Sequence, residues 1–145
     1  IAVIMKMLDS LDNGVAPKVF GDGSQAYDFV YVRDCAAANV CAIKADSVDQ
    51  FYNVGTGIRT TIDTLANALI RLCESDLHIE YEPAGQIFVK NRIGCPVRAL
   101  EEIGFRASVS LEDGLAELIK WRKEHIAEVR RLQHYSTSYT SRVSS

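Results

Sequence analysis

The stretch Lys18-Val19-Phe20-Gly21-Asp22-Gly23-Ser24-Gln25-Ala26-Tyr27-Asp28-Phe29-Val30-Tyr31-Val32-Arg33-Asp34 decides how the rest of the chain is read. Pro17 to Phe20 predicts a short strand, Gly21 to Ser24 is turn chemistry, and the aromatic and β-branched run Asp28 to Val32 predicts a second strand. Two strands about a glycine-rich turn predict a hairpin-like excursion. Arg33-Asp34 then leads into an alanine-rich helix ending near Lys44, with Asp34 placed as its N-cap. Ala36, Ala37, Val40, Cys41 and Ile43 give that helix a face of small and aliphatic residues fit for close packing on a neighbour.

Upstream, Ile1, Ile4, Met5 and Leu8 recur at helical spacing, and Gly14 is placed to stop that helix. Downstream, Phe51-Tyr52-Asn53-Val54 predicts a buried strand running into Gly55-Thr56-Gly57. A helix is expected from Thr60 or Thr61, with Asp63 in its first turn and Ile62, Leu65, Ala66, Leu69, Ile70 and Cys73 on its apolar face. His78 to Glu82 and Phe88 to Ile93 predict further strands. Pro96 opens a short helix that ends before Gly104, and Ser110 caps a long final helix carrying Leu111, Leu115, Leu118, Ile119, Ile126 and Val129 as its stripe. The fold class expected is α/β with α+β character: a small mixed sheet and hairpin strands packed with about four to five helices. Residues 1–134 form the folded unit, and the Ser- and Thr-rich residues 135–145 read as a frayed tail.

A chain of 145 residues can bury a real core but falls short of two full domains. Its net charge of -3 comes with scattered lysines and arginines, so a polyphosphate backbone finds no basic stripe and nucleic acid is disfavoured; a small anion stays open. Cys35, Cys41, Cys73 and Cys95 form no C-x-x-C pair and the histidines share no metal-like spacing, so neither a zinc site nor any other metal is expected. Three of those cysteines fall in predicted helices, which suits buried thiols and a cytoplasmic setting. No run of eighteen apolar residues exists to span a bilayer, so no membrane partner is expected. The chain opens inside an apolar-periodic run without a methionine, and it is therefore expected to be part of a longer protein.

Gly21-Asp22-Gly23-Ser24-Gln25-Ala26 matches G-x-G-x-x-A, the pattern by which a dinucleotide pyrophosphate is held at a helix N-terminus. A strand-like run follows it, so a turn is the favoured reading. Gly55-Thr56-Gly57 is a better imitation, lying between a predicted strand and helix, with Glu80 and Glu82 near the distance of a ribose-binding carboxylate. A glycine turn is again favoured, and the nucleotide contact stays open. A tyrosine followed four residues later by lysine, the pair that would make a phenol into a base, is absent after all six tyrosines. No nucleophile elbow and no marked carboxylate pair occurs either. No catalytic residue is therefore assigned.

Taken together, Val19 to Gln25, Asp28 to Asp34, Phe51 to Gly57, Leu100 to Phe105 and Ser110 to Leu115 with Trp121 resemble, in consecutive order, the C-terminal substrate lobe of the extended short-chain dehydrogenase/reductase family. That group includes UDP-sugar 4-epimerases and sugar-nucleotide dehydratases. The resemblance implies that residues 1–134 are the substrate-binding C-terminal portion of a larger Rossmann-type enzyme. NAD, the true glycine loop and the tyrosine base would belong mainly to the other half, and this chain alone would hold no cofactor. It also implies a nucleotide-diphosphate sugar and the Rossmann half as partners, and is compatible with a homodimeric parent.

By the same resemblance, Lys18, Val19 and Phe20 lie along the base and ribose, and Phe29 and Ile62 line the nucleotide pocket. The position before Asp28-Phe29 is commonly an arginine that grips the pyrophosphate, and here it is Tyr27, a hydroxyl donor without charge. The second usual arginine, expected near residues 82 to 86, is absent there. Arg92 is the candidate for that charge, a surface arginine being the alternative. Two functions follow: the substrate-binding portion of an epimerase or dehydratase, inactive alone, or a non-catalytic binding or assembly module of the same descent.

Overall fold

The computed structural model describes residues 3–84, 90–129 and 131. The expected tail, Phe88 and the first residue of the predicted opening helix lie outside them. The elements are α1 (Val3–Asp12), β1 (Lys18–Phe20), β2 (Ala26–Tyr27), α2 (Val32–Lys44), β3 (Thr60–Thr61), α3 (Ile62–Leu72), β4 (Glu80–Glu82), β5 (Asn91–Arg92), α4 (Val97–Ile103) and α5 (Leu111–Glu124). The mixed α/β class expected from the sequence is the one observed.

The centre of the molecule is α3. Its Ile62, Leu65, Ala66, Ala68 and Leu69 bury themselves against Met7 and Leu8 of α1, Val19 of β1, and Leu115 and Ile119 of α5. These positions repeat every three to four residues on each helix, so three apolar stripes meet along one axis. Local chemistry sets the helix ends. The Thr61 and Ser110 hydroxyls accept from the backbone N–H of Thr64 and Asp113, at 3.0 and 3.1 Å, and Gly104 ends α4 at φ +67°. Ala38 of α2 packs separately with Ala99, Ile103 and Phe105.

Strand pairing differs from the sequence expectation. β1 and β2 do not form a hairpin: β1 pairs parallel with β4, Lys18 beside Glu80 and Phe20 beside Glu82, while β2 lies between β3 (antiparallel) and β5 (parallel). The turn between β1 and β2 is occupied elsewhere. Gly23 and Gln25 turn their carbonyls to the backbone N–H of Asp63 and Ile62, so the turn closes on the start of α3 instead of across the two strands.

The predicted strand Asp28–Val32 is also corrected. Only Ala26–Tyr27 is a strand, Asp28 donates its N–H to the Arg92 carbonyl as the chain leaves the sheet, and Val32 already opens α2. Asp34 is not the N-cap; that position is Tyr31, without a side-chain bond. Asp34 is buried in the first turn and accepts from the Ser108 N–H and hydroxyl and from the Val109 N–H. Phe51–Val54, expected as a buried strand, has no strand partner among the described residues, and Phe51 is 91% exposed. On α2, Val40 and Ile43 are likewise exposed, and of the expected packing face only Cys41 packs on a neighbour, against the cluster of Ala99, Ile103 and Phe105.

Candidate functional site

Where α1 crosses β1, β2 and the start of α3, the structure leaves a cavity of about 700 Å³. Six of the seven residues singled out for substrate contact line it: Lys18, Val19, Phe20, Tyr27, Phe29 and Ile62. Val19 is its buried floor, Phe20 stands half out at its mouth, and Tyr27 meets Phe29 edge-on with ring centroids 6.3 Å apart. A mostly apolar wall with a few polar groups is the usual make-up of a small-molecule site. Arg92 does not line the cavity. It sits on β5 directly beside Tyr27 in the parallel register, exposed.

Four cavity residues come from α1, and the sequence reading missed them: Val3, Lys6, Met7 and Ser10. Their spacing of three or four was visible as helical periodicity; that this stripe overlooks the same space as β1 and β2 was not. Gln25 and Asp28 complete the polar lining. The Gln25 amide N–H donates to the Phe20 carbonyl at 3.0 Å, bracing the turn between the two strands.

Charge at the cavity is unevenly committed. The Lys18 ammonium lies 2.7 Å from Glu82 Oε1 and 3.8 Å from Glu80 Oε2, and the hydrogen bond to Glu82, helped by the charge of Glu80, raises its pKa above the ordinary lysine value. Glu80 and Glu82, considered above as ribose carboxylates, thus sit beside β1 as partners of Lys18. Asp28 is equally engaged. Its Oδ1 accepts from the Thr56 N–H at 3.0 Å and from the Thr56 hydroxyl at 2.5 Å, and its Oδ2 from the Gly57 N–H at 2.9 Å. Gly55 must be glycine for this joint to close, because a Cβ there would stand 2.4 Å from Asp28 Oδ2.

These bonds bear on NAD, which the resemblance implies for the parent. The N–H groups of Thr56 and Gly57 are spent on Asp28, and those of Ile62, Asp63 and Thr64 at the head of α3 on Gln25, Gly23 and Thr61. In the other loop, the Ser24 N–H is taken by Asp22 and the Gly21 N–H by the Glu82 carbonyl. These N–H groups are spent within the chain instead of being presented to a pyrophosphate, so these donors do not fit that part of the cofactor. Among the described residues no group of three or more His, Cys, Asp or Glu is gathered to hold a metal, and no helix is long and apolar enough to cross a membrane.

The chain is similar in sequence and in fold to known proteins. Residues 2–55 match the model of the NAD dependent epimerase/dehydratase family. The chain is 29% identical over 119 residues to a UDP-glucose 4-epimerase of Mycolicibacterium smegmatis, covering 82% of this chain and 38% of that protein. It is 28% identical over 131 residues to a dTDP-glucose 4,6-dehydratase of Haemophilus influenzae, covering 82% and 39%. Its structure superposes on the UDP-glucose 4-epimerase of Thermotoga maritima, determined with UDP-glucose, with a TM-score of 0.80 at 29% identity, over 86% of this chain and 40% of that one. The resemblance to NAD-dependent nucleotide-sugar epimerases and dehydratases, first drawn from a handful of motifs, extends over most of the chain. The chain spans about two fifths of the length of these relatives.

Proposed function

We propose that this chain is the substrate-binding C-terminal portion of an NAD-dependent nucleotide-sugar epimerase or dehydratase, and that its cavity receives the nucleoside diphosphate of the sugar nucleotide. The observation that carries the reading is the convergence of Lys18, Val19, Phe20, Tyr27, Phe29 and Ile62 on one space of about 700 Å³. Aromatic rings and aliphatic walls suit a base and ribose. Arg92, beside Tyr27 on the neighbouring strand though outside the cavity lining, is the proposed arginine contact to phosphate.

The partner that completes the reaction is the Rossmann half, supplying the NAD site and the base. Its support is the bare apolar surface of α2 and Phe51, which an isolated folded unit would bury. The free thiols of Cys35, Cys41 and Cys73 suit a cytoplasmic setting. The test is calorimetry on the chain with UDP, uridine and NAD in turn. Saturable UDP binding without low-micromolar NAD binding is expected. NAD binding near that level, about -8 kcal/mol, would overturn the division of labour, and no binding of UDP or uridine would remove the nucleotide reading.

A further inference from the structure

Two lysines line the cavity, Lys6 from α1 and Lys18 from β1, and they are not equivalent. Lys18 is held between Glu80 and Glu82, so a diphosphate approaching it meets two carboxylates as well as one cation. Lys6 makes no ion pair among the described residues. It stands one helical turn from Ser10, on the α1 stripe that roofs the cavity, and Ser10 spends its own hydroxyl proton on the Lys6 carbonyl at 3.2 Å. Of the two lining lysines, the one with uncommitted charge is therefore on the helix α1, not on the strand β1. Tyr27, lining the same cavity, offers a phenol hydroxyl without charge, so a phosphate held there draws its counter-charge from another residue.

We infer that Lys6 is a phosphate-binding residue of this site, its ammonium reaching from α1 to a phosphate of a nucleoside diphosphate held against Phe20, Tyr27 and Phe29. This assignment rests on the nucleotide reading proposed above and adds a residue outside the motifs that suggested it. A lysine suits the position: its charge sits on a flexible four-carbon stem and pairs with phosphate as a point charge, without the fixed fork an arginine needs. The resulting specificity is for the charged part of the ligand, leaving base and ribose to the apolar wall.

Titration of the full-length protein with UDP and with uridine separates the possibilities. Lys6→Gln is expected to weaken UDP about tenfold or more while changing uridine by less than about twofold, since a charge-assisted contact is lost and the nucleoside contacts are kept. Lys6→Arg should recover most of the UDP affinity, and Lys18→Gln should cost less than Lys6→Gln. The salt dependence of UDP binding should flatten in Lys6→Gln and not in Lys6→Arg. Unchanged UDP affinity in Lys6→Gln, or equal losses for UDP and uridine, overturns the assignment alone. A wild-type protein that binds neither UDP nor uridine overturns the nucleotide reading and the assignment with it.

Discussion

Two aspartates, one read from the sequence as the start of a strand and the other as a helix cap, turn out to be joints. Asp28 gathers the loop 56–57 onto the strand that carries Tyr27 and Phe29, and the 2.4 Å approach to a would-be Gly55 Cβ shows how closely loop and carboxylate fit. Asp34 does the same for residues 108–109 from within α2. Burial pushes the Asp34 carboxyl toward a higher pKa, but the N–H groups of Val109 and Ser108 and the Ser108 hydroxyl outweigh it and hold the group below the usual range. The sign of the linkage follows. A depressed folded pKa gives stability that is fully present above the unfolded value of about 3.9 and is lost as pH falls through the lower folded value. Urea unfolding of the wild type and Asp34→Asn should thus differ at pH 7, keep that difference down to about pH 4, and converge below it. A difference that does not depend on pH would mean that the ionised carboxylate is not what holds the 108–109 segment.

Among the elements, α1 and α5 both pack on α3, and a buried guanidinium ties them to each other. Arg122 of α5 donates from Nε to Asp12 Oδ2 at 2.7 Å and from Nη2 to Asp9 Oδ1, both on α1. Burial opposes its charge, yet the hydrogen bonds to Asp12 and Asp9 prevail and raise its pKa. The two aspartates are only partly covered, which limits the penalty of leaving them unpaired. Replacing Arg122 by Ala should cost about 1.5–3 kcal/mol in denaturant unfolding, and Arg122→Lys distinctly less, since a lysine keeps the charge but not the two-pronged geometry. An Ala variant as stable as wild type would show that the α1–α5 contact is apolar packing alone. Because α1 also carries Lys6 and roofs the cavity, the loss should be felt as weaker UDP binding as well.

At the scale of the molecule, α2 and residues 51–54 carry exposed apolar side chains. Phe51 is 91% exposed and Ile43 84%, and Arg98 reaches the Gln50 side chain at 2.5 Å while its guanidinium lies 5.3 Å from the Tyr52 ring centroid, holding the extended segment in place without burying it. Substituting Phe51 and Ile43 together by serine should leave the stability of the chain itself within about 0.5 kcal/mol in urea unfolding, because neither side chain is packed. The same pair should abolish capture of a separately produced Rossmann half. Capture at wild-type strength would send that partner to another face. The sequence by itself determined the elements whose signals lie within a few residues: α3 and α5 from their periodicity and caps at Thr61 and Ser110, the stop of α4 at Gly104, and the resemblance that singled out six cavity residues. It misread what depends on distant partners. A β-branched run is equally ready to pair with any strand, so only the fold could send β1 to β4 and leave Phe51–Val54 without a strand partner among the described residues. A carboxylate is indifferent to which N–H it finds, so only tertiary packing could give Asp28 the loop 28 residues on, Asp34 a backbone 74 residues on, and Lys6 a place over the cavity.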